Sequence, residues 1–181
     1  MKFGFYLPNN GPNARPEPLA AIALKGDDLG FECMVANDHI LVPEQINSPY
    51  PYTVGGEFPG GGSGEYFEQL TLLTYLAGIT KQIRLITSVM IVPHRPPLLT
   101  AKILSTIDVL SRGRLTVGVG VGWMEEEFRA LGAPPFSERG AVTNEYIRAF
   151  IELWTSDNPT FSGQYCEFSD LAFLPKPVPL T

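Results

Sequence analysis

Four stretches of the chain are apolar at nearly every position, near residues 2–7, 33–36, 83–89 and 115–121. Between them, apolar residues recur at helical spacing. Leu19, Ile22, Ala23 and Leu29 do so behind Pro16 and Pro18, with Gly30 as the stop. Leu70, Leu73 and Ala77 make a second stripe, and Leu99, Ile103, Ile107 and Leu110 a third behind Pro96 and Pro97. Short apolar strands alternating with amphipathic helices predict a parallel sheet covered by helices. Further along, Met124 to Leu131 reads as a short helix, and Tyr146, Ile147, Phe150, Ile151 and Trp154 mark a longer one. Residues 160–168 read as a small hairpin around Ser162-Gly163, followed by an extended tail at Pro175-Lys176-Pro177-Val178-Pro179.

The fourth strand has the most unusual pattern. In Gly113-Arg114-Leu115-Thr116-Val117-Gly118-Val119-Gly120-Val121-Gly122-Trp123, branched residues alternate with small ones. Glycine weakens a strand, because it has no side chain to pack and loses more entropy on ordering, so its repetition marks a close approach by something else. Two parallel folds compete. The open doubly wound sheet wants Gly-x-Gly-x-x-Gly after the first strand and an acidic residue about 20 positions on. Here the first strand ends in Pro8-Asn9-Asn10-Gly11; in the fourth, Trp123 takes the third glycine position and three glutamates follow, which would repel a pyrophosphate. The closed (β/α)8 barrel is therefore preferred.

A whole barrel takes about 250 residues and eight strands. Residues 1–181 are accordingly expected to form a single α/β domain, a partial TIM barrel. It would be the N-terminal half, with four parallel strands, their helices and the hairpin, as in a truncated gene product or an excised half. Residues 41–66, rich in proline and glycine and without periodicity, read as one long loop insertion of the kind that serves as a lid or binding loop.

Composition narrows the partners. The 181 residues are 44% hydrophobic and 18% charged, with a net charge of −6, which describes a packed protein with an acidic balance. Nucleic acid and anionic membranes both want a basic face, so neither is expected. No apolar run approaches a membrane span, and the start of the chain is too short in apolar residues for a signal peptide. Cys33 and Cys166 lie far apart without a pairing motif and are expected as reduced thiols in a cytoplasmic protein. A small-molecule substrate remains as the expected partner, with a homodimer formed through open strand edges as a second expectation.

Ligands of α/β folds bind beyond the carboxyl ends of the strands. Those ends are Asn9-Asn10, Asn37-Asp38-His39, Thr87-Ser88-Val89 and Gly120-Val121-Gly122-Trp123, so the polar residues of otherwise apolar strands gather at one rim. Asp38 and His39 are adjacent in an extended segment and face opposite ways, one into the mouth and one bracing it. Histidine titrates near 6.5 in water, which makes His39 a candidate general acid or base; the plainer alternative is an imidazole satisfied by a loop carbonyl. His94-Arg95 reads either as an anion-binding pair or as a solvated pair at the start of a helix. Trp123 either lines the site or simply packs at the rim. Glu125, Glu126 and Glu127 read as a charged first helical turn. Ser63 does not satisfy Gly-x-Ser-x-Gly, because residue 65 is Glu, and Cys33, His39, His94 and Cys166 fit no zinc spacing.

Taken together, several of these pieces resemble the luciferase-like monooxygenase family. They are Asn37-Asp38-His39, Thr87-Ser88-Val89, Gly113-Arg114-Leu115 running into the glycine-laced strand, Phe161-Ser162-Gly163-Gln164-Tyr165 and Pro175-Lys176-Pro177. The likeness is greatest to the oxidoreductases of that family that use the deazaflavin coenzyme F420. The resemblance implies a TIM barrel with a flavin or deazaflavin in its mouth and a non-prolyl cis peptide at Ser88-Val89 against one face of the ring. It implies Asp38 in contact with the ring system, His39 as the catalytic residue near the hydride-transferring carbon, and Gly118, Gly120 and Gly122 leaving room for the ring near Trp123. The implied activity is hydride transfer between reduced F420 and a small organic substrate. An FMN-dependent monooxygenase is the alternative within the class, and a non-catalytic ligand-binding remnant the alternative outside it. Glucose-6-phosphate dehydrogenases of the family carry Glu at the position of Trp123 and Trp at that of Pro43, so a sugar phosphate is not expected.

Overall fold

A computed structural model describes residues 1–59 and 65–179. The Gly60-Gly61-Gly62-Ser63-Gly64 run of the expected loop, with the Ser63 considered above, lies outside the described residues, as do Leu180 and Thr181.

The four apolar stretches are strands β1 (Gly4–Tyr6), β2 (Cys33–Ala36), β3 (Arg84–Ile91) and β4 (Leu115–Gly120). All neighbours are parallel and the order is β1-β2-β3-β4. Helices α1 (Pro16–Asp28), α2 (Gln69–Ile79) and α3 (Pro97–Ser111) lie in the three crossovers. They are followed by α4 (Glu125–Leu131), α5 (Arg139–Thr155) and an antiparallel hairpin of β5 (Phe161–Ser162) and β6 (Glu167–Phe168). Four parallel strands with helical crossovers are the predicted α/β architecture.

Two apolar clusters hold the layers together. One joins Leu7, Leu19, Met34, Leu73, Leu76 and Leu85 beneath α1 and α2. The other joins Met90, Leu104, Ile107, Tyr146, Phe150 and Leu153 between β3, α3 and α5, with Phe168 and Phe173 folded over it. Leu115 packs on both. Each large side chain buried in this way contributes about 1.5–3 kcal/mol.

The apolar stripes expected on the helices are partly displaced. Leu99 and Leu110 are 56% and 57% exposed, and α3 instead buries Thr100, Ala101, Leu104, Ser105 and Ile107. The Thr100 hydroxyl donates to the Pro96 carbonyl at 2.8 Å and that of Ser105 to Lys102 at 3.0 Å. Hydroxyls already satisfied within their own helix bury cheaply, and such short side chains let α3 lie close to its neighbours. Leu29, just past the end of α1, and Ile151 on α5 are likewise exposed rather than buried.

The amino end of the sheet is fixed by two charged hubs. Arg114 donates to the carbonyls of Ala77, Thr80, Ile83 and Ser111 at 2.8, 3.1, 3.0 and 2.7 Å, drawing the ends of α2 and α3 beneath β4. Asp27 accepts from the backbone N–H of Lys81, Gln82 and Ile83 at 2.7, 2.9 and 2.7 Å, which sets where β3 starts. Burial opposes the Asp27 charge, but the three N–H donors and Arg114 hold its carboxyl below the usual carboxylate range. At the far end of the chain, Glu145 of α5 accepts from Gln164, Tyr165 and Cys166 in the hairpin turn, where Gly163 leaves space for the carboxylate. Cys33 and Cys166 are unpaired. Among the described residues no helix is long and apolar enough to cross a membrane.

Candidate functional site

The carboxyl tips of the four strands open into a cavity of about 1330 Å³. All of the predicted rim residues from Asn37 to His39, Ser88, Val89 and Gly120 to Trp123 line it. Asn9 does not; it is fully buried and donates from Nδ2 to the Asn37 carbonyl at 3.1 Å, bracing the end of β2.

The cavity floor comes from β3. Its register against β4 shifts between Thr87 and Met90, and the intervening Ser88-Val89 peptide is cis, as the resemblance implied. The β4 glycines receive this bulge. A methyl group at Gly118 would collide with the Thr87 carbonyl oxygen, and one at Gly120 would lie 2.5 Å from Val89 Cγ2. A methyl at Gly122 would meet the Phe128 ring at 2.6 Å. The side-chain space of all three glycines is thus taken by the chain itself, while the backbones of Gly120 and Gly122 still line the cavity. The apolar side chains that reach the cavity here are Val89, 41% exposed, and Val119 and Val121 at 43% and 41%.

Asp38 and His39 do part company across the segment. Asp38 accepts two bonds from the Arg95 guanidinium, both 2.7 Å, and a third from the Ile91 N–H at 2.8 Å, and its side chain is fully buried. Its carboxylate is thus engaged within the protein: Asp38 ties the end of β2 to the end of β3 while still lining the cavity. Arg95 also meets Glu68 at 2.6 Å, so it is neither solvated nor free for a ligand anion. Burial works against the Arg95 charge, but the bonds and charges of Asp38 and Glu68 raise its pKa further.

His39 faces the cavity. Its Nδ1 lies 2.9 Å from Glu127 Oε2, and among the described residues its Nε2 makes no hydrogen bond. Glu127 is almost wholly buried, and its Oε1 accepts from the N–H of Ile40 at 2.8 Å and Leu41 at 3.3 Å. His94, also buried, places Nδ1 3.9 Å from Glu127 Oε1, too far for a hydrogen bond, and neither of its ring nitrogens has a partner. Burial pushes the His94 imidazole down, toward its neutral form. Burial pushes the Glu127 carboxyl up, but the His39 bond and the charges of His94 and His39 outweigh it and hold the carboxyl low.

The described part of the 41–66 loop covers the mouth. Tyr50 and Phe58 pack on Trp123 with ring centroids 5.0 and 5.2 Å apart, and Phe58 and Tyr66 pack on His39 at 5.2 and 5.1 Å. Trp123 therefore forms part of an aromatic wall and leaves the cavity open. Glu126 pins the loop, accepting from the N–H of Asn47 at 2.8 Å and from the Ser48 hydroxyl at 2.7 Å. Burial opposes the Glu126 charge, while the Ser48 hydroxyl and the loop amides keep its carboxyl low. Tyr6, half-exposed among the lining residues, has its phenol pushed up to about 12 by its partial burial and by Tyr66, and it is a protonated donor at neutral pH.

Reasoning from sequence missed Glu127, grouping it with Glu125 and Glu126. A signal was present. Glu127 follows Met124 by three positions and precedes Leu131 by four, which puts it on the inner face of α4 beside the buried Phe128, while Glu125 points outward.

Parallel strands whose carboxyl ends converge on a carboxylate-bound histidine, an apolar floor and an aromatic wall define an α/β protein of the barrel type. The family described as luciferase-like monooxygenase matches residues 1–181, and the chain belongs to that family. It is 30% identical over 178 residues to an uncharacterized protein of Mycobacterium tuberculosis, covering 98% of this chain and 62% of that one. An FMNH2-dependent dimethylsulfone monooxygenase of Pseudomonas putida is 37% identical over 121 residues, covering 66% of this chain and 33% of the relative. Among solved structures, monooxygenase RslO1 from Streptomyces bottropensis superposes with a TM-score of 0.75 at 27% identity, over 98% of this chain and 50% of that one. An F420-dependent secondary alcohol dehydrogenase shares the fold, with a TM-score of 0.75 at 22% identity, over 98% of this chain and 49% of that one. The chain thus spans 62% of the mycobacterial relative and about half of each solved chain.

Proposed function

We propose that this chain is the acid–base and ring-binding part of an oxidoreductase that transfers hydride between reduced F420 and a small organic substrate. The observation that carries this reading is His39, held by a buried carboxylate on one nitrogen and facing a roomy cavity with the other. The residues present suit a flat ring. Val89, Val119 and Val121 offer an apolar bed, Tyr6 a protonated phenol, and Tyr50, Phe58 and Trp123 a wall. A bound deazaflavin would supply the hydride, carrying carbon where a flavin has N5.

The chain's own residues do the rest. The Asp38–Arg95 pair clamps residues 38–40 to β3, so that the His39 imidazole keeps its place over the floor. The aromatic wall excludes water from that space. His39 Nε2 gives a proton to, or takes one from, the substrate oxygen whose carbon gains or loses hydride.

An FMN-dependent monooxygenase is the second reading. It is favoured by the 37% identity to the Pseudomonas putida enzyme, and it uses the same floor and wall. The unpaired Cys33 and Cys166 support a cytoplasmic setting for either enzyme. Self-association through the sheet edges β1 and β4 belongs to the same proposal, and sedimentation as a folded monomer removes it.

Titration of the purified chain with F420 and with FMN, followed by absorbance and tryptophan emission, separates the readings. F420 binding followed by substrate-dependent oxidation supports the first, FMN binding alone supports the second, and affinity for neither refutes both. Replacing His39 by Gln should leave ring binding intact and cost about 10²–10⁴-fold in turnover.

A further inference from the structure

The three carboxylates after Trp123 are alike in sequence and different in space. Glu125 is exposed and pairs with Arg129 one turn along at 3.2 Å. Glu126 holds the covering loop. Glu127 is 1% exposed and divides its two oxygens between an imidazole and a stretch of backbone. We propose that Glu127 is a positioning residue for His39, fixing it as the Nδ1–H tautomer with its Nε2 lone pair presented to the cavity. The proposal rests on the reading of His39 as the acid–base group.

Three observations lead there. A carboxylate only accepts hydrogen bonds, and a neutral imidazole has one donor and one acceptor nitrogen. The nitrogen 2.9 Å from Glu127 must therefore carry the proton, which leaves the lone pair on Nε2. The second observation is mechanical. Oε1 of the same carboxylate holds the N–H groups of Ile40 and Leu41, the two residues after His39, so side chain and backbone are gripped by one group. A swing of the ring away from the cavity would break bonds on both sides of that grip.

The third is electrostatic. The groups facing His39 are Glu127 from α4, His94 after β3, Tyr66 and Phe58 from the loop, and Trp123 after β4. Its neighbour Asp38 is matched by Arg95. His94 lies 3.9 Å from the other carboxylate oxygen, Oε1, and burial favours its neutral form, so it does not cancel the carboxylate. Among the described residues, Glu127 is then the one negative group directed at His39.

The test needs no ligand. The chain has two histidines, so nitrogen-resolved NMR of the imidazoles, assigned with His94→Gln, reads the His39 tautomer directly. The expected wild-type result is Nδ1 protonated and Nε2 bare by tenfold or more. In Glu127→Gln, whose amide can donate as well as accept, that bias should fall by about tenfold, the equivalent of one charge-assisted bond. A purely structural Glu127 would leave the tautomer unmoved. If Glu127→Gln fails to fold by circular dichroism, the wild-type tautomer still decides. A proton on Nε2, or an even mixture in the wild type, overturns the proposal. Failure of the functional reading looks different: His39→Gln would then leave turnover unchanged while the wild-type tautomer stayed as expected.

Discussion

Replacing Arg95 by methionine removes the positive centre on which the strand tips converge. Arg95 is 9% exposed in its side chain and Asp38 fully buried, and the pair is bidentate at 2.7 Å on both arms. Methionine keeps most of the volume and none of the charge. The Asp38 carboxylate is then left with the single Ile91 N–H, at 2.8 Å, and Glu68 loses its 2.6 Å partner. Glu68 is one-third exposed and can turn to water, so its share of the loss is small. Asp38 has no such outlet. Removing one partner of a buried ion pair costs about 3–5 kcal/mol, because an uncompensated charge remains. For a domain of this size about 2–4 °C is lost per kcal/mol, so the melting temperature should drop by about 6–20 °C. Urea denaturation followed by far-UV circular dichroism measures the loss. A double-mutant cycle with Asp38→Asn then isolates the pair: once the charge is gone, Arg95→Met should cost far less. A loss below about 1 kcal/mol in the single variant, or no recovery in the double one, would refute the clamp and with it the account of how His39 is held.

Other substitutions probe the floor, the loop and the buried charges. Gly118→Ala should destabilise more than Gly120→Ala, since the first methyl meets the Thr87 backbone oxygen and the second meets the movable end of Val89; overpacking costs about 1–3 kcal/mol, and equal urea midpoints would contradict this account. Glu126→Gln should speed hydrogen exchange at the Asn47 and Ser48 amides by about tenfold, one charge-assisted bond's worth, without changing global stability in proportion. Acidification should weaken the fold in two overlapping stages. His94 is pushed down by burial, so its contribution is complete above its unfolded value of about 6.5 and is lost as pH falls from there through the folded value. Glu127 is held low despite burial, so its contribution is complete above about 4.3 and is lost as pH falls through its own folded value. A urea midpoint that stays flat from pH 7 down to pH 4 would contradict the sign for His94, and one that stays flat on further acidification below pH 4 would contradict the sign for Glu127.

The order and direction of the strands were written into the sequence. Continuous apolar stretches separated by helical stripes leave few arrangements other than parallel strands with covered faces, and the polar ends of those strands had to fall on one rim. The alternation of Asp38 and His39 also followed from local geometry, because neighbours in an extended segment point opposite ways. Even the burial of Glu127 was available from the helical phase of Met124, Phe128 and Leu131. Partner choice was not available. That the carboxylate of Asp38 meets Arg95, that the glycines of β4 face the bulge of β3, and which glutamate of three reaches His39 all depend on residues 57, 31 and 88 positions apart in the chain. Local sequence fixes which way a side chain leaves the backbone. Only the packed sheet fixes what waits there, because hydrogen bonds and collisions act over a few ångströms of space, however far apart their owners lie along the chain.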